Sequence, residues 1–271
     1  MKGLYLYCIR EKTEGVVAFS AKGIDGKGKV FTLPYRELEA VVSNISLEEF
    51  GSSKIQKKAQ EDPIWIKEKA LAHEEVIEKS MNNNKILGLI PMRFGIIFKN
   101  KARLEEILDK DYSKIKDSLE KIRGKQEWGV KVYLKDRKKF EQMIKEKNKT
   151  IKGKEKEIAA LDEGMAFFME EELKEVISRE VEKNLANIAE VFFKSLKKHA
   201  VESVENKILG KELTGRQELM ILNTAYLVAK EKISDFKKEA DNLNQGMQTK
   251  GFYLESTGPW PAYNFTKLEI K

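Results

Sequence analysis

Between residues 162 and 199, apolar side chains recur at helical spacing: Met165, Phe168, Leu173, Val176, Val181, Leu185, Ile188, Phe192 and Leu196. About 37 residues of helix extend roughly 55 Å at ~1.5 Å per residue. That exceeds the width of a small domain, so the helix must protrude, pack against a neighbour or break. Asp162 can open it, and His199 lies at its end, where a cation suits the helix dipole.

The segments around this helix alternate between strand and helix signals. Residues 128–134 read as a strand. Asp136 opens a helix to about Asn148 with a thin apolar face of Phe140, Met143 and Ile144, and 150–156 reads as an exposed or mobile connection. After the long helix, 200–209 and 217–228 read as strands around a Leu213-Thr214-Gly215-Arg216 turn. A helix over 230–243 presents Ile233, Phe236, Ala240 and Leu243, and 247–256 is the final strand. This β-α-α-β-β-α-β order is close to a ferredoxin-like split β-α-β with one extra, long helix.

The first half differs. Residues 2–9 form a strand, and 11–28 a glycine-containing loop with a short extended piece at Gly15-Val16-Val17-Ala18-Phe19. Strands at 29–33 and 38–43 meet at a Pro34-Tyr35-Arg36 corner. Asp62-Pro63 supplies an N-cap acceptor and a proline at the first helical position, starting a helix to about Met81. Its buried stripe is Ile66, Ala70, His73 and Ile77. Residues 86–90 form a short buried strand, and Pro91 requires a bend or a sheet edge there. Asn100 caps a helix with Leu104, Leu108, Ile115, Leu119 and Ile122 inward, Tyr112 bridging its middle. The fold class is α+β, two ferredoxin-like-type domains: 1–125, a related α+β sandwich that fits less cleanly, and 126–271, with an extra long helix and a docked tail over 257–271; the boundary near residue 125 follows Gly124.

That tail is rich in information. Gly258-Pro259-Trp260-Pro261-Ala262-Tyr263-Asn264-Phe265 holds three aromatics and two prolines. Disordered tails are poor in aromatics, and proline lowers the entropy lost on ordering, so this one docks.

Composition narrows the function classes. The net charge is +7 and 35% of residues are charged, which suits long solvated helices. Residues 135–157 carry ten Lys/Arg against five Asp/Glu, whereas 162–182 carry eight acidic residues against two basic. Nucleic-acid binding by the basic stretch is the sharper reading and a solvated helix face the plainer one. Cys8, the single cysteine, lies in an apolar strand and reads as a buried structural thiol. No apolar run approaches the ~20 residues of a membrane span, and no signal segment opens the chain, which points to a cytoplasmic protein.

Catalytic constellations are sparse. His73 has Lys69 and Ile77 four residues to either side, so a histidine pair on one helix face is missing. It reads as a bonded core histidine. Arg93 either clamps an anion or pairs with Glu74 or Glu75. Gly23-Ile24-Asp25-Gly26-Lys27-Gly28 opens no helix, and Arg123-Gly124-Lys125 lacks the aromatics of an RNA-binding sheet. No catalytic, cofactor-binding or metal-binding residue is assigned, and no cofactor is expected.

Six landmarks carry a family likeness: Leu4-Tyr5-Leu6-Tyr7-Cys8-Ile9, Leu38-Glu39-Ala40-Val41-Val42-Ser43, Ile90-Pro91-Met92-Arg93-Phe94-Gly95 after His73-Glu74-Glu75, Trp128-Gly129-Val130, Leu222-Asn223-Thr224-Ala225-Tyr226, and the Gly-Pro-Trp-Pro-x-Tyr-x-Phe ending. In this order the chain resembles the gas vesicle protein F/L family (GvpF/GvpL) from end to end. Ala262 stands where a third proline is common and Ile96 where threonine is common. The resemblance implies the same two α+β domains, which settles the boundary at about residue 125, and a non-enzymatic accessory or minor structural protein of the gas vesicle. It implies binding to the main gas vesicle shell protein and to other accessory proteins, in support of assembly. No nucleic acid, membrane or small-molecule substrate is expected. The apolar strands at 16–19 and 30–33 make the first domain the expected shell-binding half, by strand addition at a sheet edge. A basic ferredoxin-like nucleic-acid-binding protein is the alternative, and an enzyme using His73 and Arg93 a third reading.

Overall fold

A computed structural model describes residues 1–12, 21–81, 88–266 and 268. It is a mixed α+β structure in two compact units, Met1–Glu127 with Gly258–Lys271, and Trp128–Thr257. Among the described residues, no helix is long and apolar enough to cross a membrane.

In the first unit, β1 (Lys2–Glu11) is buried from Gly3 to Arg10, as befits a short, nearly continuous apolar run covered on both faces. It pairs antiparallel with β3 (Leu38–Ser46), from Lys2 opposite Ser46 to Glu11 opposite Leu38, with a register shift between Leu6 and Cys8. There Tyr7 turns its carbonyl to the Met92 amide at 2.8 Å. β2 (Val30–Tyr35) pairs with β3, while β4 (Leu89–Pro91) and β5 (Ile97–Phe98) both pair with β1. The path runs β2-β3-β1-β4. Pro91 thus sits on an edge strand, where a missing donor costs least.

Three helices follow β3: α1 (Leu47–Phe50), α2 (Ser52–Glu61) and α3 (Pro63–Met81). Only α3 carries helix signals legible in the sequence. The Asp62 carboxylate accepts from the Trp65 amide at 2.9 Å and opens it as expected. Its buried side chains are His73, Val76, Ile77 and Ser80, while Ile66 and Ala70 are half-buried. The pattern had placed the stripe a turn too far toward the N-terminus. Asn100 caps α4 (Lys101–Lys110) through the Arg103 amide at 2.9 Å. The chain departs from helix at Asp111, and α5 (Tyr112–Ile122) continues. Leu104, Leu108, Ile115, Leu119 and Ile122 are all buried, so the apolar face survives the break.

The remaining elements are β6 (Lys125–Leu134), α6 (Arg137–Lys147), α7 (Lys149–Ile158), α8 (Glu163–Lys197), β7 (Glu202–Glu205), α9 (Lys211–Thr214), β8 (Leu219–Ala229), α10 (Ile233–Gln248) and β9 (Phe252–Trp260); all lie in the second unit except the first three residues of β6 and the last three of β9. The order β7-β8-β6-β9 sets the fourth strand beside the first, then the third and second, as in a ferredoxin-like split β-α-β.

Helix α7 occupies the segment expected to be a connection. The Asn148 side chain accepts from the Thr150 and Ile151 amides at 3.0 and 3.2 Å, and Ile151 and Ile158 are buried one heptad apart. Two apolar residues among lysines were too faint a stripe to read. Helix α8 buries Leu173, Ile177, Val181, Leu185, Phe192 and Leu196. Its expected first contacts, Met165 and Phe168, are exposed instead. The 213–216 turn is built on Gly215, at φ 66°, which ends α9. Helix α10 runs past the expected end at Leu243, and Gly251, at φ 84°, turns the chain into β9.

Candidate functional site

The tail docks by a compact turn. The Phe265 and Thr266 amides donate to the Ala262 carbonyl at 3.2 and 3.1 Å, and Ala262, Phe265 and Thr266 are buried. The Tyr263 hydroxyl donates to Glu74 at 2.8 Å, and Asn264 donates to both oxygens of the buried Glu127 carboxylate. Burial raises the pKa of Glu127 against the lowering effect of those bonds. Trp260 is exposed, unlike the other two aromatics. Residues 258–271 cluster with the first unit, whereas the sequence reading attached 257–271 to the second domain. Glu74, Glu127 and the apolar cluster around Tyr5 and Tyr7 supply the tail's contacts, and all belong to that unit.

His73 is 1% exposed and both ring nitrogens are bonded. Nε2 lies 3.0 Å from the Met92 carbonyl, which can only accept, so Nε2 carries the proton. Nδ1 then accepts from the Tyr5 hydroxyl at 3.0 Å, and Tyr5 accepts from the Gly95 amide. Burial lowers the His73 pKa to about 4 and raises that of Tyr5. Beside them the Tyr7 hydroxyl meets Ser43 at 2.9 Å and accepts from Ile24 at 2.7 Å. The chain of bonds ties β1, β3, α3 and the 92–95 turn together.

Arg93 is exposed, and neither expected partner is bound to it: Glu75 pairs with Lys79 at 2.6 Å, and Glu74 takes the Tyr263 hydroxyl. No hydrogen bond joins Arg93 to His73 among the described residues. The buried arginine of this unit is Arg10, whose Nε donates to Glu39 at 2.7 Å and whose Nη1 donates to the Ser80 carbonyl. No sequence signal distinguished it from a surface strand residue. Cys8 is buried and its thiol pKa is pushed up to about 12. Among the described residues, no group of three or more His, Cys, Asp or Glu side chains could hold a metal ion.

The basic stretch folds as α6 and α7. Its charges are partly matched within the unit: Arg137 pairs with Glu182 at 2.5 Å and Lys145 with Glu141 at 3.1 Å. Gly23–Gly28 forms a tight loop in which the Asp25 carboxylate accepts from the Lys27 and Gly28 amides at 2.9 and 2.8 Å. These bonds serve the turn itself.

The feature left open for function is the edge of the first sheet. Strand β2 ends the path and pairs only with β3 among the described residues. Phe31, Thr32 and Leu33 are half-buried and Pro34 is exposed. The corner after it carries a cluster of side-chain pairs. Arg36, at φ 53°, reaches Asp109 at 2.6 Å and lies over the Tyr35 and Tyr112 rings. The Tyr35 hydroxyl also donates to Asp109 at 2.7 Å, and Lys116 holds Glu37 at 2.5 Å. Among the described residues β2 is thus an end strand, and its Val30–Leu33 part, before Pro34, is the part a second strand could join. The other candidate edge, Val16 to Phe19, lies outside the described residues.

Known proteins match along the whole chain. The family described as "Gas vesicle synthesis protein GvpL/GvpF" matches over residues 3–267. Gas vesicle protein F1 of Halobacterium salinarum is 24% identical, over 99% of this chain and 95% of its own length. Gas vesicle protein L of a Streptomyces species is also 24% identical, over 97% and 92%. Among solved structures, GvpF from Anabaena sp. superposes with a TM-score of 0.80 at 21% identity, covering both chains completely. GvpF from Microcystis aeruginosa follows at 0.68, covering 98% of this chain and 99% of its own. A fold shared over full length, together with a family match from the first strand to the tail, means that this chain belongs to the GvpL/GvpF family of gas vesicle synthesis proteins.

Proposed function

We propose that this protein is a cytoplasmic, non-enzymatic accessory protein that binds the main gas vesicle shell protein and supports vesicle assembly, together with other accessory proteins. The observation that carries the reading is the family match along the whole chain, with β2 at the end of the first sheet among the described residues. A shell protein is strongly apolar before it assembles, and a charge-rich partner that holds one of its extended segments would limit aggregation. Main-chain bonds along an added strand supply affinity, and the half-buried Phe31 and Leu33 offer apolar contact beside them. His73 and Tyr5 are committed to each other and to backbone, which suits a binding scaffold better than proton-transfer chemistry.

The test is capture of the shell protein by the full chain. The wild type should retain it, Thr32→Lys with Leu33→Lys should lose it while keeping a native circular dichroism spectrum, and Lys152→Glu on α7 should not matter. Charged residues on an edge strand oppose strand addition. Equal capture by the β2 variant would refute the edge, and no capture by the wild type would refute the partner. Retention on DNA or RNA that falls steeply with salt would favour the nucleic-acid alternative.

A further inference from the structure

The start of α8 turns large apolar side chains away from the core. Phe167 is 61% exposed, Phe168 70% and Met165 54%, and Leu161, just before the helix, is 42% exposed. The two phenyl rings meet edge to face at 5.9 Å. Four such groups within eight positions make a patch rather than scattered surface residues. On the same exposed stretch stand Glu163, Glu170, Glu171, Glu172 and Glu175. Lys174 pairs with Glu171 at 2.6 Å, and Lys145 of α6 lines one pocket with Glu170, so the five carboxylates still outnumber the bases beside them. Apolar anchors inside an acidic surround form a recognisable surface.

We infer that this face docks an amphipathic helix of a partner protein, one with apolar residues on one side flanked by Lys or Arg. Charge decides among the occupants. A two-fold contact with a second copy would set one acidic surround against the other. The lysine-rich α6 and α7 of a second copy carry the right charge, but no large apolar side chain is exposed there among the described residues. Nucleic acid and anionic lipid share the sign of the patch and are repelled. A basic amphipathic helix satisfies both features, its apolar face covering the phenyl rings and its cations meeting the carboxylates. The inference concerns the second unit and does not rest on the β2 contact.

The test uses the full chain and a labelled synthetic helix of leucine and lysine, with a leucine and glutamate twin as control, read by fluorescence anisotropy. The lysine helix should bind and the glutamate twin should not. Phe167→Ser with Phe168→Ser should weaken binding by about tenfold, since a few buried aromatic anchors dominate such contacts. Glu171→Lys with Glu172→Lys should weaken it similarly, and Glu231→Lys, in the turn just before α10, should leave it unchanged. All substitutions are at exposed positions, and unchanged circular dichroism confirms the fold. Equal binding of the two helices, or an unaffected phenylalanine variant, overturns the proposal. So does a dimer in sedimentation that the phenylalanine variant dissociates, which would make the face a self-contact. Phenylalanine-dependent flotation with phosphatidylcholine vesicles would equally overturn it, in favour of a membrane.

Discussion

Asn264 donates its side-chain amide to one oxygen of Glu127 at 2.6 Å and its backbone amide to the other at 3.0 Å. A tail residue thereby satisfies a carboxylate that is 4% exposed, 137 positions upstream. Asn264→Ala should cost about 1–3 kcal/mol, because the buried carboxylate loses a partner it cannot replace with water. Glu127→Gln should cost less, since the neutral amide is cheaper to bury. Chemical denaturation of the two variants checks the order, and equal losses would contradict it.

Truncation after Ser256 should lower the melting temperature by several degrees. It removes Phe265, whose burial contributes roughly 1.5–3 kcal/mol, together with the Tyr263 bond to Glu74. A melting curve unchanged by the truncation would show that the tail adds nothing to the first unit.

His73 makes stability depend on pH with a defined sign. Its pKa is about 4 in the folded chain against 6.5 unperturbed. Between those values the unfolded chain binds more protons, so stability is complete above pH 6.5 and falls as pH drops toward 4. The shift corresponds to about 3 kcal/mol at most. Glu74 and Glu127, whose pKa values are raised by burial, contribute with the opposite sign just above the ordinary carboxylate range. The measurement is therefore a difference: His73→Gln should be less stable at pH 7, and its loss of stability from pH 6.5 to 4 should be shallower than in the wild type.

Arg10 and Glu39 form a buried pair between β1 and β3, at 0% and 6% side-chain exposure. Glu39→Ala should destabilise by about 3–5 kcal/mol, because it strands a buried guanidinium. Arg10→Met with Glu39→Leu should recover most of that loss. Urea midpoints of the single and double variants test the coupling, and additive losses would refute it.

Cys8 should resist a thiol-specific disulfide reagent in the folded protein and react on unfolding, since it is buried and its thiol pKa is near 12. Reaction at the rate of a free thiol under native conditions would mean that β1 opens locally.

Much of the local architecture could be read from the chain alone, because caps and periodicity are short-range physics. Asp62, Asn100, Asp136 and Asp162 each announced a helix start, and each accepts a backbone amide three residues on. The strand and helix order of the second half led to its strand order, since a split β-α-β has few ways to pair. Other features were decided only by tertiary packing. Periodicity marks residues that share a helix face but not where the neighbouring surface stops, so Met165 and Phe168 continued the apolar stripe of α8 yet ended in solvent. The bonds of His73, the burial of Arg10 and the grip of Glu127 on Asn264 all join residues far apart in sequence. Each depends on which strands lie side by side and which surface receives the tail, and no local pattern encodes that.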